Sequence, residues 1–217
     1  MRVRHKRWAI PEMKKSPYVA FSSLAEELRG DWQSFFAKEQ PLHLDLGTGR
    51  AQFVMALAQQ EETRNVLGVE RFSNVLVYGA RALEELDLPN ARLLAADMDF
   101  GAAYFSPDEV SSISINFCNP WPKKRHQKRR LTHPRKLRLY EQILVDDGIL
   151  QVKIDDEDLF RATLEYLATS AFELTHVNED LAVDEDPHGI VTYYEERWRA
   201  QGIPIKFIEA RNRKARG

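Results

Sequence analysis

Residues 113–122, Ile-Ser-Ile-Asn-Phe-Cys-Asn-Pro-Trp-Pro, run on through Arg138 as KKRHQKRRLTHPRKLR, and this stretch decides how the chain is read. A short β-branched run closed by prolines predicts a buried strand. Pro120 and Pro122 each fix φ and remove a backbone donor, so the chain leaves the strand in a rigid turn. Nine Lys and Arg residues fall within residues 123–138, with no acid among them. An amide, an aromatic ring and a block of cations at the mouth of a strand suit a site that holds a base and grips phosphate. A charge run is most often a solvated face, and a lone Trp is most often core. Two observations favour a site here. The whole chain is not basic, with 31 Lys and Arg against 33 Asp and Glu. The cations also follow the strand end directly, where open α/β sheets bind ligands.

The 217 residues suffice for a single domain with a real core. The formal net charge of −2 means that any nucleic-acid affinity must come from patches. Cys118 is the only cysteine, which excludes an intramolecular disulfide and fits a reducing compartment. It reads as a small buried residue at a strand end, not a nucleophile. The charged N-terminus lacks a following apolar stretch, so no signal peptide is expected. No apolar run is long enough for a membrane, and the cytoplasm is the default expectation.

Residues 1–20 have no clear period; Arg2, Arg4, Lys6 and Arg7 form a basic arm beside Trp8. A solvated terminus and an arm that touches nucleic acid are both open. Residues 21–38 read as one amphipathic helix opened by Ser22 or Ser23, with Leu24, Leu28, Trp32, Phe35 and Phe36 on one side. Residues 1–40 thus form an arm and helix packed on a core that starts at Pro41, within one domain overall.

Leu42 to Leu46 predicts a strand, Gly47-Thr48-Gly49 a tight turn, and Ala51 to Gln60 a helix with Phe53, Val54, Leu57 and Ala58 inward. That unit is a nucleotide-type cradle, in which glycines admit the ligand and a helix N-terminus offers free N–H groups. A second strand, Asn65 to Val69, ends in Glu70, at about the spacing where a carboxylate grips a ribose diol. A third, Ala91 to Ala95, precedes Asp97 and Asp99. Acids after strands one to three, and Asn119 after the fourth, would line one edge of a parallel sheet. The P-loop sequence is absent and the dinucleotide fingerprint is incomplete, with Gln at position 52. An Asp just before the turn repels phosphate and suits a cation. S-adenosylmethionine carries an ammonium, a sulfonium and a ribose diol but no phosphate. Asp45 at its amino-acid end, Glu70 at the ribose and Asp97 at the adenine amino edge is a coherent assignment, with Gly47 and Gly49 shaping the turn.

Farther on, His133 or Pro134 opens a helix to about Val145, and Asp146-Asp147-Gly148 reads as a turn. Ile149 to Ile154 predicts a strand, followed by Asp155 at its end and a helix from Leu159 to Ala168. Phe172 to Val177 and Ile203 to Ile208 read as a late antiparallel pair. Residues 184–189 read as a mobile loop, Thr192 as the start of a capped helix, and Arg211, Arg213, Lys214 and Arg216 as a basic tail. The six histidines show no pair at metal-ligand spacing, so no metal is expected.

The series LDLGTGRAQF, LGVERF, AADMDF, NFCNPWPKKRHQKRRL, KIDD and TYYEERW resembles the bacterial tRNA (guanine-N7)-methyltransferases, in order and spacing, from MRVRHK to about Arg211. The NPWPKKRHQKRR block is its most specific part. The resemblance implies an α/β, Rossmann-like, S-adenosylmethionine-dependent fold: a mostly parallel sheet with a late antiparallel pair. It implies methylation of a guanine in the tRNA variable loop, by a monomer or homodimer. It also implies cofactor contacts at Asp45, Glu70, Asp97 and Asn119, and substrate contacts at Lys123, Asp155, Thr192 and Glu195. RNA would meet Arg125, His126, Lys128, Arg129 and Arg130. This chain departs from the family pattern in having Asp45 for Glu, Ala51 for Gly and, at the position often held to be catalytic, Asn119 for Asp.

Guanine N7 has a lone pair and no proton, so its attack on a sulfonium methyl needs alignment more than a general base. The Asn119 turn also loosely resembles the Asn-Pro-Pro-aromatic turn of enzymes that methylate exocyclic amines. A third reading is an RNA-binding relative that has lost turnover.

Overall fold

The computed structural model describes residues 6–214; Arg2, Arg4 and Arg216 of the two terminal segments lie outside the described residues. The chain divides into two compact units, residues 1–106 and 107–217.

The first unit is built on four strands in the order β1-β4-β3-β2, all parallel: β1 (Val19–Phe21), β2 (Leu42–Leu46), β3 (Asn65–Val69) and β4 (Ala91–Ala95). Every residue of β2 and β3 is buried, as a parallel sheet covered on both faces requires. Its helices are α1 (Ala9–Met13), α2 (Ser22–Glu27), α3 (Gln52–Gln60), α4 (Ser73–Leu86) and α5 (Gly101–Tyr104). The side chains of α3 that turn inward are Phe53, Val54, Leu57 and Ala58, as its period predicts. Burying each of the larger three contributes roughly 1.5–3 kcal/mol.

In the second unit the strand order is β5-β6-β8-β7, from β5 (Val110–Asn116), β6 (Leu144–Ile154), β7 (Phe172–Asn178) and β8 (Lys206–Asn212). The β5–β6 pair is parallel, and β8 runs antiparallel to both β6 and β7. The accompanying helices are α6 (Pro134–Ile143), α7 (Glu157–Leu167) and α8 (Tyr193–Arg199). His133 and Asp156 cap α6 and α7 by accepting from Arg135 N and Leu159 N.

Several expectations need correction. Residues 21–38 are not one helix. Gly30 sits at φ +87, a conformation that closes α2, and a Cβ there would lie 3.1 Å from Ser106 Oγ. After it, Trp32–Phe35 form a 3-10 turn, and the Trp32 indole donates to Tyr104 O at 2.9 Å. Residues 1–20 hold α1 and β1, both too short to show a period. Asp146-Asp147-Gly148 is not a terminal turn but a bulge inside β6, with Asp147 at φ +61. Across it the register jumps from Val110–Leu144 to Ser112–Ile149. The last strand starts at Lys206, not Ile203. The 184–189 segment is anchored through a buried Asp186. In the tail, Arg213 pairs with Glu173 and Asp147, and Lys214 with Asp108.

Gly79 of α4 packs closely on the β2–α3 turn: a Cβ there would lie 2.9 Å from Ala51 Cβ and 3.0 Å from the Arg50 carbonyl. Gly79→Ala is expected to lower unfolding free energy by roughly 1–3 kcal/mol in urea titrations. Adding Ala51→Gly should recover part of that loss. An unchanged midpoint in Gly79→Ala would show that the turn and α4 are not in register as described.

Candidate active site

In the first unit, the turn after β2 places Gly47 at φ +78, Gly49 at φ +59 and Ala51 at φ +59. Glycine adopts this region freely, whereas Ala51 carries strain of roughly 1–2 kcal/mol. Gly47 N and Thr48 N both donate to Val69 O, at 2.8 and 3.2 Å. The Glu70 carboxylate accepts from Gly49 N at 3.3 Å and from Phe72 N at 2.8 Å. It therefore braces the turn while keeping lone pairs to spare. Burial pushes the Glu70 carboxyl above the usual range, and the amides of Phe72 and Gly49 oppose that shift.

Asp45 is buried and registers with Gly68 on β3. Asp97 accepts from Asp99 N at 3.0 Å and pairs with Arg71 at 3.1 Å, and the Arg71 guanidinium lies over the exposed Phe72 ring. Gly49, Glu70 and Asp97 are thus linked through Arg71, the neighbour of Glu70. Above Gly49 the space is open: a Cβ there would meet nothing closer than 4.0 Å. Thr48 Oγ1 is buried without a hydrogen-bond partner. An open turn braced by the Glu70 carboxylate, with Asp45 two residues before it, fits a phosphate-free, cation-bearing cofactor such as S-adenosylmethionine, and disfavours a nucleoside diphosphate.

In the second unit, β5 ends in a strained turn. Phe117 lies at φ +53 and Trp121 at φ +44, rare values for bulky residues. The exposed Asn119 accepts from Trp121 N at 3.0 Å. Lys123 then starts a 3-10 segment, Lys124–Arg129, that brings the Arg129 guanidinium within 5.1 Å of the Trp121 ring and His126 within 5.8 Å. The exposed cations are Lys123, Lys124, Arg125, Lys128, Arg129, Arg135 and Arg138; Arg130 and Lys136 are buried. His126 is held below its usual range, by desolvation first and then by Arg129, Arg125 and Lys123. The Cys118 thiol is pushed up to about 12 by burial, which makes it a poor nucleophile.

The end of β6 lies beside the end of β5, with Phe117 N donating to Lys153 O at 2.9 Å. Asp155 is half-buried there, and burial raises its carboxyl above the usual range. Thr192 caps α8 by accepting from Glu195 N at 3.3 Å. Glu195 is fully buried: Oε2 pairs with Lys153 at 3.0 Å, and Oε1 with Arg199 at 2.7 Å. Lys153 also meets Asp186 at 2.5 Å and Ile190 O at 3.0 Å. Lys153, Asp186 and Arg199 were not expected to matter. One signal was available, since a Lys between Val152 and Ile154 in a core strand demands a buried partner. Among the described residues, no group of three or more His, Cys, Asp or Glu could hold a metal, and no helix is long and apolar enough to cross a membrane.

Residues 39–208 match the protein family described as "Putative methyltransferase". A tRNA (guanine-N(7)-)-methyltransferase of Limosilactobacillus reuteri is 40% identical over 206 residues, covering 94% of this chain and 96% of its own. A Clostridium novyi protein of the same name is 38% identical over 212 residues, covering 97% and 99%. Among solved structures, the 16S rRNA methyltransferase KamB shares the fold at a TM-score of 0.63 and 14% identity, over 84% of this chain and 92% of that one. With β-strand ends, glycine turn and basic block all in the family's order, the chain belongs to the tRNA (guanine-N(7)-)-methyltransferase family.

Proposed function

We propose that the protein methylates N7 of a guanine in tRNA, with S-adenosylmethionine as donor, in the cytoplasm where tRNA is found. The observation that carries this reading is the open Gly49 turn braced by Glu70 and flanked by the buried Asp45, in a chain of this family. When bound, the cofactor supplies an electrophilic methyl on a sulfonium. Asp45 is assigned to its ammonium, Glu70 to the ribose diol and Asp97 to the adenine amino edge.

The protein's task at N7 is alignment, because that atom carries a lone pair and no proton to remove. Effective molarity from such positioning reaches ~7–11 kcal/mol in favourable cases. Asn119 orients through its amide rather than through charge. Its place in a turn that spends the amide oxygen on Trp121 N makes it a shaping group. Methyl transfer leaves positive charge on the purine, which a nearby carboxylate stabilises. Asp155 takes that role and accepts from the guanine N1–H and N2–H₂ edge. Glu195 is the weaker candidate, because Lys153 and Arg199 already engage both its oxygens. Thr192 and Glu195 act by fixing the start of α8. Lys123, Arg125, His126, Lys128 and Arg129 face the RNA backbone.

With labelled S-adenosylmethionine and unmodified tRNA, nuclease digestion should release labelled 7-methylguanosine phosphate. Asp155→Asn should lower transfer about a hundredfold while tRNA affinity stays within about twofold. A methyl found on an exocyclic nitrogen, or none from the natural protein, would overturn the assignment. Cofactor binding should also depend on pH through Glu70. The ionised carboxylate is the acceptor, and its folded pKa is raised, so affinity is full above that pKa. It should fall as pH drops through that pKa, starting at a higher pH than an ordinary glutamate would allow. Glu70→Gln should bind more weakly and lack this titration; an unchanged pH profile in that variant would remove Glu70 from the ribose.

A further inference from the structure

Arg130 closes the run of cations that the sequence assigns to RNA, yet it faces inward and is 3% exposed. Its Nε donates to Pro120 O at 2.7 Å, and its Nη1 donates to Tyr166 OH at 3.2 Å. Tyr166 lies on α7, and its ring sits 5.8 Å from that of His133. One residue on, the Leu131 backbone bonds the Cys118 thiol, and Leu131 O accepts from Tyr140 OH of α6 at 3.0 Å. The end of the basic block therefore folds back onto the residues on either side of Asn119 and fastens them to α6 and α7.

That turn needs fastening. Phe117 and Trp121 both hold positive φ, and a bulky residue there costs roughly 1–3 kcal/mol unless its surroundings over-determine it. Pro120 offers no N–H, so its carbonyl is the one backbone polar group by which position 120 can be held. A guanidinium serves this better than an ammonium, because its planar fork points one donor at Pro120 and another at Tyr166. Its neighbour Arg129 stacks on the Trp121 ring from the exposed side.

We propose that Arg130 is a positioning residue that locks the Asn119 turn for methyl transfer and makes no contact with RNA. The inference rests on the tRNA-methylating reading above. Its consequence is that the RNA-facing segment and the Asn119 turn move as one piece, so that phosphate contacts at Arg125 or Lys128 are felt at Asn119.

The test compares Arg130→Ala, Arg130→Lys and Tyr166→Phe with the natural protein and with Arg125→Ala. Each is measured for kcat at saturating tRNA, for tRNA affinity against salt, and for S-adenosylmethionine affinity. Activity of the natural protein reports on the functional reading, while the variants report only on the clamp. Arg130→Lys keeps the charge but loses the fork, so it should fail nearly as badly as Arg130→Ala, with kcat down about a hundredfold. Both should keep the natural tRNA affinity, salt slope and cofactor affinity. Tyr166→Phe should lower kcat in the same direction, by less. Arg125→Ala should instead weaken tRNA binding and reduce the slope of log K against log salt by roughly 0.7–0.9. The proposal is overturned if Arg130→Lys restores full activity, or if Arg130→Ala loses tRNA affinity and salt slope as Arg125→Ala does. Should the Arg130 variants not fold, Tyr166→Phe decides: a natural kcat in it rejects the clamp.

Discussion

Lys153 is a cation removed from water, and the end of the second unit that carries Asp155 and the start of α8 is assembled around it. Its side chain is 4% exposed, and its two carboxylate partners, Asp186 and Glu195, are 1% and 0% exposed. Desolvating three charges costs several kcal/mol per ion, and only close pairing with further hydrogen bonds offsets it. Those conditions are met: Ile190 O takes a third bond from the ammonium, and Arg199 engages the remaining oxygen of Glu195. The same residue's carbonyl accepts from Phe117, the first strained residue of the Asn119 turn. One side chain thus ties the end of β6 to the 186–190 segment and to α8, while its backbone ties β6 to the turn after β5. A buried ion pair is a poor source of net stability but a good means of selecting one arrangement, and here it selects the arrangement of four segments.

In each unit a turn places backbone in the left-handed region, and side chains hold it there. In the first unit the glycines of the β2–α3 turn adopt it freely. Ala51 adopts it under strain, with Gly79 leaving room for its methyl. A glycine at that position, as the family resemblance implies, would remove the strain. In the second unit the 117–122 turn contains no glycine, so it relies on Asn119, Arg129 and Arg130 as props. The replacement of the family's Asp by Asn119 is compatible with this geometry, because the amide oxygen accepts from Trp121 N as a carboxylate oxygen would. What is lost is the charge, and methylation at N7 places no demand for a base on that position.

The β2–α3–β3 cradle was legible to within one residue, the helix starting at Gln52 and not at Ala51, because local signals agreed there: buried strands, a glycine turn and a clean helical period. Reading failed where one residue overrode a period. Gly30 stopped an apparent helix, and the 146–148 turn chemistry was spent on a bulge inside a strand. Strand β1, three residues long, carries no alternation to detect. The site was legible as a set of residue types at strand ends but not as a division of labour. Arg130 and Glu195 read as ligand-facing along with the residues beside them, yet both are buried. Whether a charged side chain faces solvent or a buried partner depends on residues far away in sequence, such as Tyr166 for Arg130 and Lys153 for Glu195.

The measurement that tests this account most directly is a double-mutant cycle on Lys153→Met and Glu195→Gln, read by denaturant unfolding. Lys153→Met strands the buried Asp186 and should cost roughly 3–5 kcal/mol, whereas Glu195→Gln leaves Lys153 paired with Asp186 and should cost less. The double change removes both charges together, so it should cost clearly less than the sum, with a coupling of about 1–3 kcal/mol. Costs that simply add to within ~0.5 kcal/mol would contradict the claim that this pair organises the end of the second unit.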